Sequence, residues 1–210
     1  MSIICSILIP SRGRPERLKK TIRSVRDTDP DGNSEILVRF DDDDTASLAI
    51  KAELEASGVI VLVGPRRCGY PSIGEFYAEL AQNAAAPWIW IMNDDAHIRH
   101  VTDSPNQPDG TGVPWAKQLL QLPLTGVIAQ PECYQLGGSK YWGSNGGAFP
   151  LVPNGCWSRL GASFLAGAAV DTWLDQLLRV THGWRSHFLA GVAVVHERDS
   201  DDVLAQHRRV

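Results

Sequence analysis

Apolar runs and amphipathic segments follow one another regularly through the first half of the chain. Four apolar runs, rich in β-branched residues, end at polar or turn residues, as buried strands do. These predicted strands span residues 3–9, 35–40, 59–63 and 88–92. Between them, apolar residues recur at the spacing of an amphipathic helix. The predicted helices span residues 15–28, 48–57 and 72–84. Strands and helices that alternate with short connections predict a parallel, doubly wound sheet with right-handed crossovers.

Local signals mark the ends of these helices. Pro15 suits the first turn of the first helix, where its missing N–H costs no hydrogen bond. Gly58 is typical of the residue that follows a helix and ends it. Ser72 and Glu75 stand three residues apart at the start of the third helix, which predicts a capping box there.

The second half of the chain is less regular. The predicted strands span residues 126–129 and 192–195, and the predicted helical segments span residues 114–122, 154–160 and 170–180. In the last helix, Trp173, Leu177 and Val180 share one face. The polar stretch around Pro105 is a candidate lid over a ligand. The glycine-rich stretch 137–147 either wraps a ligand or simply connects two elements, and both interpretations stay open.

The stretch from Trp88 to His97 is the one around which the other elements are organised. Its apolar run leads directly into Asn93, Asp94 and Asp95, at the carboxyl end of a strand that we expect to be buried on both faces. Open α/β sheets bind their ligands at that end. Two adjacent carboxylates there suit Mg²⁺ or Mn²⁺, which prefer hard oxygen ligands. Alternatively, they only cap the turn or helix that follows.

Charged clusters follow all four predicted strands of the first half. They occupy residues 11–14, 41–44, 66–67 and 93–95. Because the carboxyl ends of parallel strands lie along one edge of the sheet, we expect these clusters to line one ligand crevice. No Gly-x-Gly-x-x-Gly or Walker sequence follows a strand, which argues against a dinucleotide-binding or P-loop fold.

Composition narrows the class of protein further. The 210 residues are 43% hydrophobic and 21% charged, as in a single soluble domain with a sizeable core. A formal net charge of −4 gives no general attraction to nucleic acid or to an anionic membrane. No apolar run approaches the roughly 20 residues of a membrane span, and we find no secretory signal. The four cysteines show no CxxC pairing, so we expect reduced thiols in the cytoplasm.

Several segments resemble family 2 glycosyltransferases with the GT-A fold. Residues 6–15 resemble the family's opening strand and turn, and residues 35–44 resemble its second strand with a nucleotide-binding acidic residue. Residues 92–95 are similar to its DXD metal motif, which also follows an apolar strand. Residues 146–161 resemble its glycine-containing acceptor segment and Leu-Gly turn. Residues 170–174 lie where the family has a Glu-Asp pair with the catalytic base.

The resemblance implies a fold and a division of the chain. The fold is an α/β domain of GT-A type, with a Rossmann-like, mostly parallel sheet and helices on both faces. This single domain is expected over residues 1–198, with a nucleotide-binding half at 1–100 and an acceptor-binding half at 101–198. A polar tail follows at 199–210.

The resemblance also implies a reaction. The protein would be a metal-dependent, inverting glycosyltransferase that moves a sugar from a nucleotide-diphosphate sugar, most often UDP-linked, to an acceptor hydroxyl. A saccharide and a hydroxylated nucleic-acid base are both compatible acceptors, so nucleic acid enters only as an acceptor. No stable insertion into a membrane is expected.

The resemblance assigns roles to particular residues. Asp171 would be the catalytic base, and Asp95 and His196 would hold Mn²⁺ or Mg²⁺. The residues expected to bind the nucleotide sugar are Pro10, Ser11, Arg12, Arg14, Asp41, Asp42, Arg66, Arg67, Asn93 and Asp94. Those expected to bind the acceptor or the sugar are Trp142, Gly146 and Gly147.

Two departures from the family pattern keep other functions open. Asn93 replaces the first aspartate of the DXD motif, and Val170 replaces the glutamate before Asp171. A catalytically degenerate GT-A domain that binds a nucleotide sugar or a partner is therefore one alternative. A sugar-phosphate nucleotidyltransferase is another, but the 11–14 loop has one glycine and no lysine, which argues against it.

Overall fold

The computed structural model describes residues 2–67, 72–101, 114–135, 149–156 and 174–197. Several predictions fall outside these ranges. They concern the base Asp171, the acceptor residues Trp142, Gly146 and Gly147, the stretch around Pro105, and the tail 199–210.

The described strands form one eight-stranded sheet. They are β1 (Cys5–Pro10), β2 (Ser34–Asp41), β3 (Ile60–Gly64), β4 (Trp88–Ile91), β5 (Ala96–His100), β6 (Val127–Gln135), β7 (Leu151–Pro153) and β8 (Arg185–His196). Their order across the sheet is β3-β2-β1-β4-β7-β6-β8-β5. The first four strands are parallel to one another, as predicted. Strand β7 runs antiparallel to β4 and β6, and β5 runs antiparallel to β8. Strands β6 and β8 are parallel to each other, so the second half of the sheet is mixed.

Helices pack against both faces of this sheet. They are α1 (Pro15–Thr28), α2 (Thr45–Leu48), α3 (Lys51–Ala56), α4 (Ile73–Gln82) and α5 (Trp115–Leu119), with a π-helical turn at Leu177–Thr181. Side chains of one strand point alternately to the two faces. Accordingly, Ile7 of β1 packs in one hydrophobic layer with α1 and α5, and Leu8 packs in the other with α4. The predicted α/β architecture with helices on both faces is confirmed.

The core explains why the central strands end together. Trp88–Ile91 and the following Met92 are all buried, as expected for a strand covered on both faces. Leu8 of β1 pairs with Ile91 of β4, and the Met92 N–H donates to the Leu8 carbonyl oxygen at 3.0 Å. The polar residues that follow the two strands therefore emerge side by side at one edge of the sheet.

The predicted helix 48–57 is wrong in its extent, because it is two short helices. Asp44 caps the first of them, and its carboxylate accepts a hydrogen bond from the Ser47 N–H at 3.3 Å. That cap starts α2 at Thr45, and the chain leaves the helix before α3 begins at Lys51.

The predicted capping box at Ser72 is also wrong. The Ser72 side chain makes no capping hydrogen bond. The Glu75 carboxylate instead lies 3.2 Å from the Arg67 guanidinium. Glu75 therefore forms an ion pair with Arg67 and does not complete the capping box.

The second half differs from the sequence pattern in several places. Strands β5 and β7 were not predicted, because they are short and pairing with β8 and β4 decides their conformation. The strand predicted at 126–129 extends to Gln135. In the last helical segment Leu174 and Leu178 are buried but Val180 is 76% exposed, so the predicted face is not the one that packs on the core. The π-helical turn changes the angular spacing on which that prediction depended.

Candidate functional site

Asp94 and Asp95 form the centre of the candidate site. Ser11 and Asp94 each follow the paired residues Leu8 and Ile91 by three positions, so the two strands bring them together. The Ser11 hydroxyl donates a hydrogen bond to Asp94 Oδ2 at 2.7 Å. Asp94 is 1% exposed and Asp95 is 9% exposed, so both residues are buried below the protein surface at this edge of the sheet.

Arg14 is the cation that lies between these two carboxylates. Its Nη2 atom lies 2.5 Å from Asp94 Oδ1, and its Nη1 atom lies 3.2 Å from Asp95 Oδ2. The Arg14 Nε–H also donates to Asp94 Oδ2 at 3.2 Å. Arg14 directly precedes α1, so the turn after β1 delivers the positive charge to the carboxylates after β4. Two buried carboxylates can lie side by side because this guanidinium offsets their repulsion.

The two carboxylates have pKa values shifted in opposite directions. Burial raises the pKa of Asp94 to about 6; the neighbouring charge of Asp95 adds to this rise, and Arg14 opposes it. Burial also favours the neutral form of Asp95. The contacts with His196 and the charge of Arg14 outweigh it, so the pKa of Asp95 lies below its usual range. Pairs of groups with divergent pKa values are typical of functional sites.

The pairing of β5 with β8 brings His196 to Asp95. His196 pairs with Ala96, and its Nε2 atom lies 3.2 Å from Asp95 Oδ1. The buried ring of Phe149 contacts the His196 imidazole edge-to-face, with the ring centroids 5.4 Å apart. Phe149 has a left-handed backbone, with φ of 53°, and its carbonyl oxygen accepts a hydrogen bond from the Trp90 indole at 2.9 Å. Strained backbone of this kind is often found at functional sites.

Asp95 and His196 fit as two ligands of one cation. The 3.2 Å between Asp95 Oδ1 and His196 Nε2 is close to the separation of about 3 Å expected for adjacent ligands of an octahedral ion with bonds of about 2.1 Å. Within the described ranges, no donor reaches Oδ1 of Asp94 or Asp95 with good hydrogen-bond geometry. No three His, Cys, Asp or Glu side chains in those ranges come together to hold a metal. A cation would therefore complete its shell with phosphate oxygens and water.

Asn93, at the first position of the DXD-like motif, is held by a residue that the sequence did not single out. The Tyr77 hydroxyl of α4 lies 3.1 Å from Asn93 Oδ1 and 2.9 Å from the Met92 carbonyl oxygen, to which it donates. On the other side, the Thr21 hydroxyl of α1 donates to the Asp94 carbonyl oxygen at 3.0 Å. Two helices on opposite faces of the sheet therefore fix the backbone that carries the carboxylates.

The acidic run after β2 lies beside the turn after β1. The Arg12 guanidinium lies 2.8 Å from Asp41 Oδ2 and also pairs with Asp43. Asp41 is 4% exposed, whereas the Arg12 side chain is 40% exposed. Arg66, after β3, lies 3.3 Å from Asp43, and the Arg66 N–H donates to Asp42 Oδ1 at 3.3 Å. The predicted convergence of the charged clusters at one edge is confirmed.

Arg67 is directed away from this cluster. Its guanidinium lies 3.2 Å from Glu75 and 3.6 Å from Glu79, both on α4. Both carboxylates that pair with Arg67 thus lie on a helix and not among the carboxylates of the site. Pro10 is the last residue of β1 and sets the start of the turn.

Gly13 shapes the turn that presents Arg12 and Arg14. It has a left-handed backbone with φ of 69°, and its N–H donates to Asp44 Oδ2 at 2.7 Å. A Cβ atom at Gly13 would meet nothing within 4 Å, so only the backbone conformation resists a side chain here.

We expect Gly13→Ala to lower the free energy of unfolding by about 1–2 kcal/mol, since an L-residue in the left-handed region costs that much. Gly155→Ala is the matched control, because a Cβ atom at Gly155 would also meet nothing within 4 Å and Gly155 has no positive φ. Urea unfolding of both variants measures the difference. An equal effect of the two substitutions would show that the turn is not held in this conformation.

Sequence reasoning missed four residues that hold the site: Thr21, Tyr77, Phe149 and Arg39, whose guanidinium donates to Asp41 Oδ1. Each lies in or beside a helix or strand whose pattern was explained by the hydrophobic core alone. The predicted base Asp171 and the predicted acceptor residues lie outside the described ranges, so their placement stays a prediction.

Crystal structures of S. aureus TarS share this fold. The 1–349 segment of TarS matches with a TM-score of 0.68 at 11% identity, over 92% of this chain and 60% of that one. Its complex with UDP matches with a TM-score of 0.63 at 11% identity, over 91% and 60% of the two chains. Its complex with UDP-GlcNAc gives 0.62 at 11% identity, over 94% and 60%. This chain thus spans about 60% of the length of those TarS structures, and the likeness establishes an α/β fold of GT-A type.

A separate comparison matches part of the chain to a known family. The profile described as Glycosyl transferase family 2 matches residues 6–100, which run from the second residue of β1 to the end of β5 and include Asp41, Asp94 and Asp95. Residues 6–100 are therefore similar to glycosyl transferase family 2, in agreement with the resemblance drawn from the sequence. No curated protein sequence matches the chain. Among the residues that the structure describes, no helix has both the length and the apolar character needed to cross a bilayer.

Proposed function

We propose that this protein is a glycosyltransferase that moves a sugar from a UDP-linked nucleotide sugar to an acceptor hydroxyl. The observation that carries the proposal is the buried Asp94–Asp95 pair at the carboxyl edge of the sheet, inside the family 2 segment. Ser11 and Arg14 from the turn after β1, and His196 from the end of β8, converge on this pair. The complexes of TarS with UDP and UDP-GlcNAc support the choice of uridine as the donor nucleoside.

In this proposal, the donor lies across the charged edge. Asp41 or Asp42 accepts a hydrogen bond from the base, and Asp94 contacts hydroxyl groups of the ribose or the transferred sugar. Arg12 and Arg66 contact the diphosphate, since the guanidinium fork suits phosphate oxygens. In the structure both arginines pair with carboxylates. When the donor binds, its phosphate oxygens replace those carboxylates as the partners of the two guanidiniums.

Asp95 and His196 hold a divalent cation, Mn²⁺ or Mg²⁺, in the proposed holoenzyme. When bound, the cation supplies Lewis-acid stabilisation of the charge that develops on the leaving nucleotide. Arg14 keeps Asp94 and Asp95 in place and adds positive charge at the same point. The buried position of both carboxylates excludes water, which strengthens these charge interactions.

The acceptor side of the proposal depends on residues outside the described ranges. Asp171 takes the proton from the acceptor hydroxyl as the oxygen attacks the anomeric carbon, and a single displacement of this kind inverts the configuration. Gly146, Gly147 and Trp142 contact the acceptor or the sugar. A saccharide and a hydroxylated nucleic-acid base both present the hydroxyl that this step needs.

Calorimetric titration with nucleotides tests the proposal. UDP, GDP, CDP, dTDP and UDP-sugars are titrated into the protein with Mn²⁺ and again with a chelator. We expect one nucleotide, UDP, to bind best and to bind with Mn²⁺. In Asp95→Ala the affinity for UDP with Mn²⁺ should fall at least about tenfold, because a cation ligand is lost. Thermal unfolding should show the matching loss of stabilisation by ligand.

Asp31→Ala is the matched control for this experiment. Asp31 pairs with Lys117 at 2.6 Å in the turn between α1 and β2, at the opposite end of the sheet from the site. Its variant should bind UDP as the wild type does. If no nucleotide diphosphate binds the wild type, the transferase proposal is wrong. Binding of UDP-sugar without release of UDP in the presence of diverse acceptors would favour the degenerate binding domain instead.

A further inference from the structure

We propose that Arg39 is a positioning residue that fixes the carboxylate of Asp41 for recognition of the nucleotide base. The inference rests on the proposed function, in which Asp41 or Asp42 accepts a hydrogen bond from that base, and it selects Asp41 because Arg39 holds that carboxylate. It adds a specificity-determining residue to the site.

The Arg39 guanidinium is held on several sides. It is 2% exposed, although arginine is rarely buried unless it is paired. Its Nη1 donates to Asp41 Oδ1, and its Nη2 donates to the Pro65 carbonyl oxygen at 2.6 Å. Its Nε atom lies 3.4 Å from Glu79 Oε2. Arg39 therefore ties the end of β2 to the end of β3 and to α4.

The surroundings are shaped to accept this guanidinium. The Arg39 Cζ atom lies 4.2 Å from the centroid of the Phe76 ring, a distance at which a cation over an aromatic face is stabilised. Gly64 lies beside it, and a Cβ atom at Gly64 would stand 2.9 Å from Arg39 Nη2. A side chain at position 64 would thus displace the guanidinium without removing any charge.

Asp41 is consequently held by one fixed cation and one exposed cation. Arg39 takes Oδ1 and is 2% exposed, whereas Arg12 contacts Oδ2 at 2.8 Å with a side chain that is 40% exposed. When Arg12 turns to the diphosphate, Oδ2 becomes available while Arg39 keeps the plane and position of the carboxylate. The acceptor is in place before the ligand arrives, which reduces the ordering cost of binding.

The chemistry of a fixed carboxylate favours particular bases. An ionised carboxylate only accepts hydrogen bonds, and the guanidiniums of Arg39 and Arg12 both donate to Asp41. Uracil presents an N3–H donor, whereas N3 of cytosine is an acceptor that would face the carboxylate oxygen. Arg39 therefore contributes to discrimination between UDP and CDP, and this discrimination depends on how firmly Oδ2 is held.

Arg39→Lys tests the inference, since the single ammonium cannot serve Asp41, Pro65 and the Phe76 ring together. Gly64→Ala is a second variant that keeps every charge. UDP and CDP are titrated into each variant with Mn²⁺, and thermal unfolding is followed alongside. We expect UDP affinity to fall about tenfold in Arg39→Lys, with a much smaller change for CDP. Gly64→Ala should reduce the same UDP/CDP ratio.

Arg179→Lys is the matched control. Arg179 also pairs with a fully buried aspartate, Asp175, at 2.6 Å, but in the helical segment that precedes β8. Its variant should keep the UDP/CDP ratio even if its stability falls. An unchanged ratio in both Arg39→Lys and Gly64→Ala would overturn the inference, as would an equal fall in the ratio for Arg179→Lys. If wild-type protein binds UDP, these results concern Arg39 alone; if it binds no nucleotide, the proposed function and this inference fail together.

Discussion

Arg14→Met is expected to lower the free energy of unfolding by about 3–5 kcal/mol at pH 8, the cost typical of leaving a buried charge without its partner. Arg14 contacts both Asp94 and Asp95, which are almost fully buried. Methionine fills a similar volume but supplies neither charge nor donors. The carboxylates would then face each other, with the His196 imidazole in contact on the side of Asp95.

Chemical unfolding at two pH values measures this effect. The loss of unfolding free energy should be smaller at pH 4.5. The pKa of Asp94 is raised to about 6, so its carboxyl group is mostly neutral at that pH. Arg26→Met is the matched control: Arg26 lies in the last turn of α1, the helix that Arg14 precedes, and its guanidinium donates to the exposed Ser57 carbonyl oxygen. Its effect should stay within about 0.5 kcal/mol, as for most surface substitutions. A loss of equal size for Arg14→Met at both pH values would contradict the ion-pair explanation.

Asp94→Asn is expected to stabilise the metal-free protein by up to about 3 kcal/mol at pH 8. Burial raises the pKa of Asp94 from the model-compound value of 3.8 to about 6. An acid whose pKa is raised by folding holds its proton more tightly in the folded state. Between pH 3.8 and pH 6 the unfolded chain loses this proton first, so the group lowers stability as pH rises, and the full cost applies above pH 6. Below pH 3.8 both states are protonated and the gain from asparagine should vanish.

Asp95→Asn provides the opposite control for this prediction. The pKa of Asp95 is lowered by His196 and Arg14 against the effect of burial, so its charge stabilises the folded state above the unfolded pKa and loses that effect as pH falls. Asparagine at 95 should therefore destabilise the protein at pH 8, and less so in acid. Urea unfolding of both variants with a chelator, from pH 3 to pH 8, tests the pair. If Asp94→Asn is destabilising at pH 8, hydrogen bonds from Ser11 and Arg14 matter more than the cost of burying the charge.

These two predictions bear on why Asp94 is present. A buried carboxylate that lowers stability near neutral pH has no structural advantage over asparagine at that position. Proteins keep such groups where function needs a charge, and stability is then given up at the site. We therefore expect Asp94→Asn to gain stability and to lose affinity for the nucleotide sugar.

The sequence determined the central strands of this protein, its first helix and the parallel arrangement of half the sheet. Apolar runs such as Trp88–Ile91 predicted the buried central strands, because a strand covered on both faces needs apolar residues at every position. Helical spacing and Pro15 predicted α1, and the alternation of elements predicted the parallel half of the sheet. Since parallel strands share a carboxyl edge, the gathering of the clusters 11–14, 41–44 and 93–95 at one edge followed from the same reasoning, whereas the structure determined which side chains pair.

Local pattern failed where a partner far along the chain decided the outcome. Pairing with β8 makes residues 96–100 a strand, although His97, Arg99 and His100 give the segment little strand character. Glu75 pairs with Arg67 and so does not cap its helix. These contacts join residues whose separation in sequence carries no periodic signal, and a propensity argument does not include them.

The site shows the same division between local and distant information. Its charged residues could be found from the sequence because polar residues stand out after buried strands. The residues that hold them could not, because Thr21, Tyr77 and Phe149 have ordinary places in helices or beside strands. Whether a carboxylate is exposed or buried, and therefore which way its pKa moves, depends on what packs around it. The sequence thus determined which groups meet at the edge of the sheet, and the tertiary structure decided their partners, burial and charge, since those depend on distances across the fold.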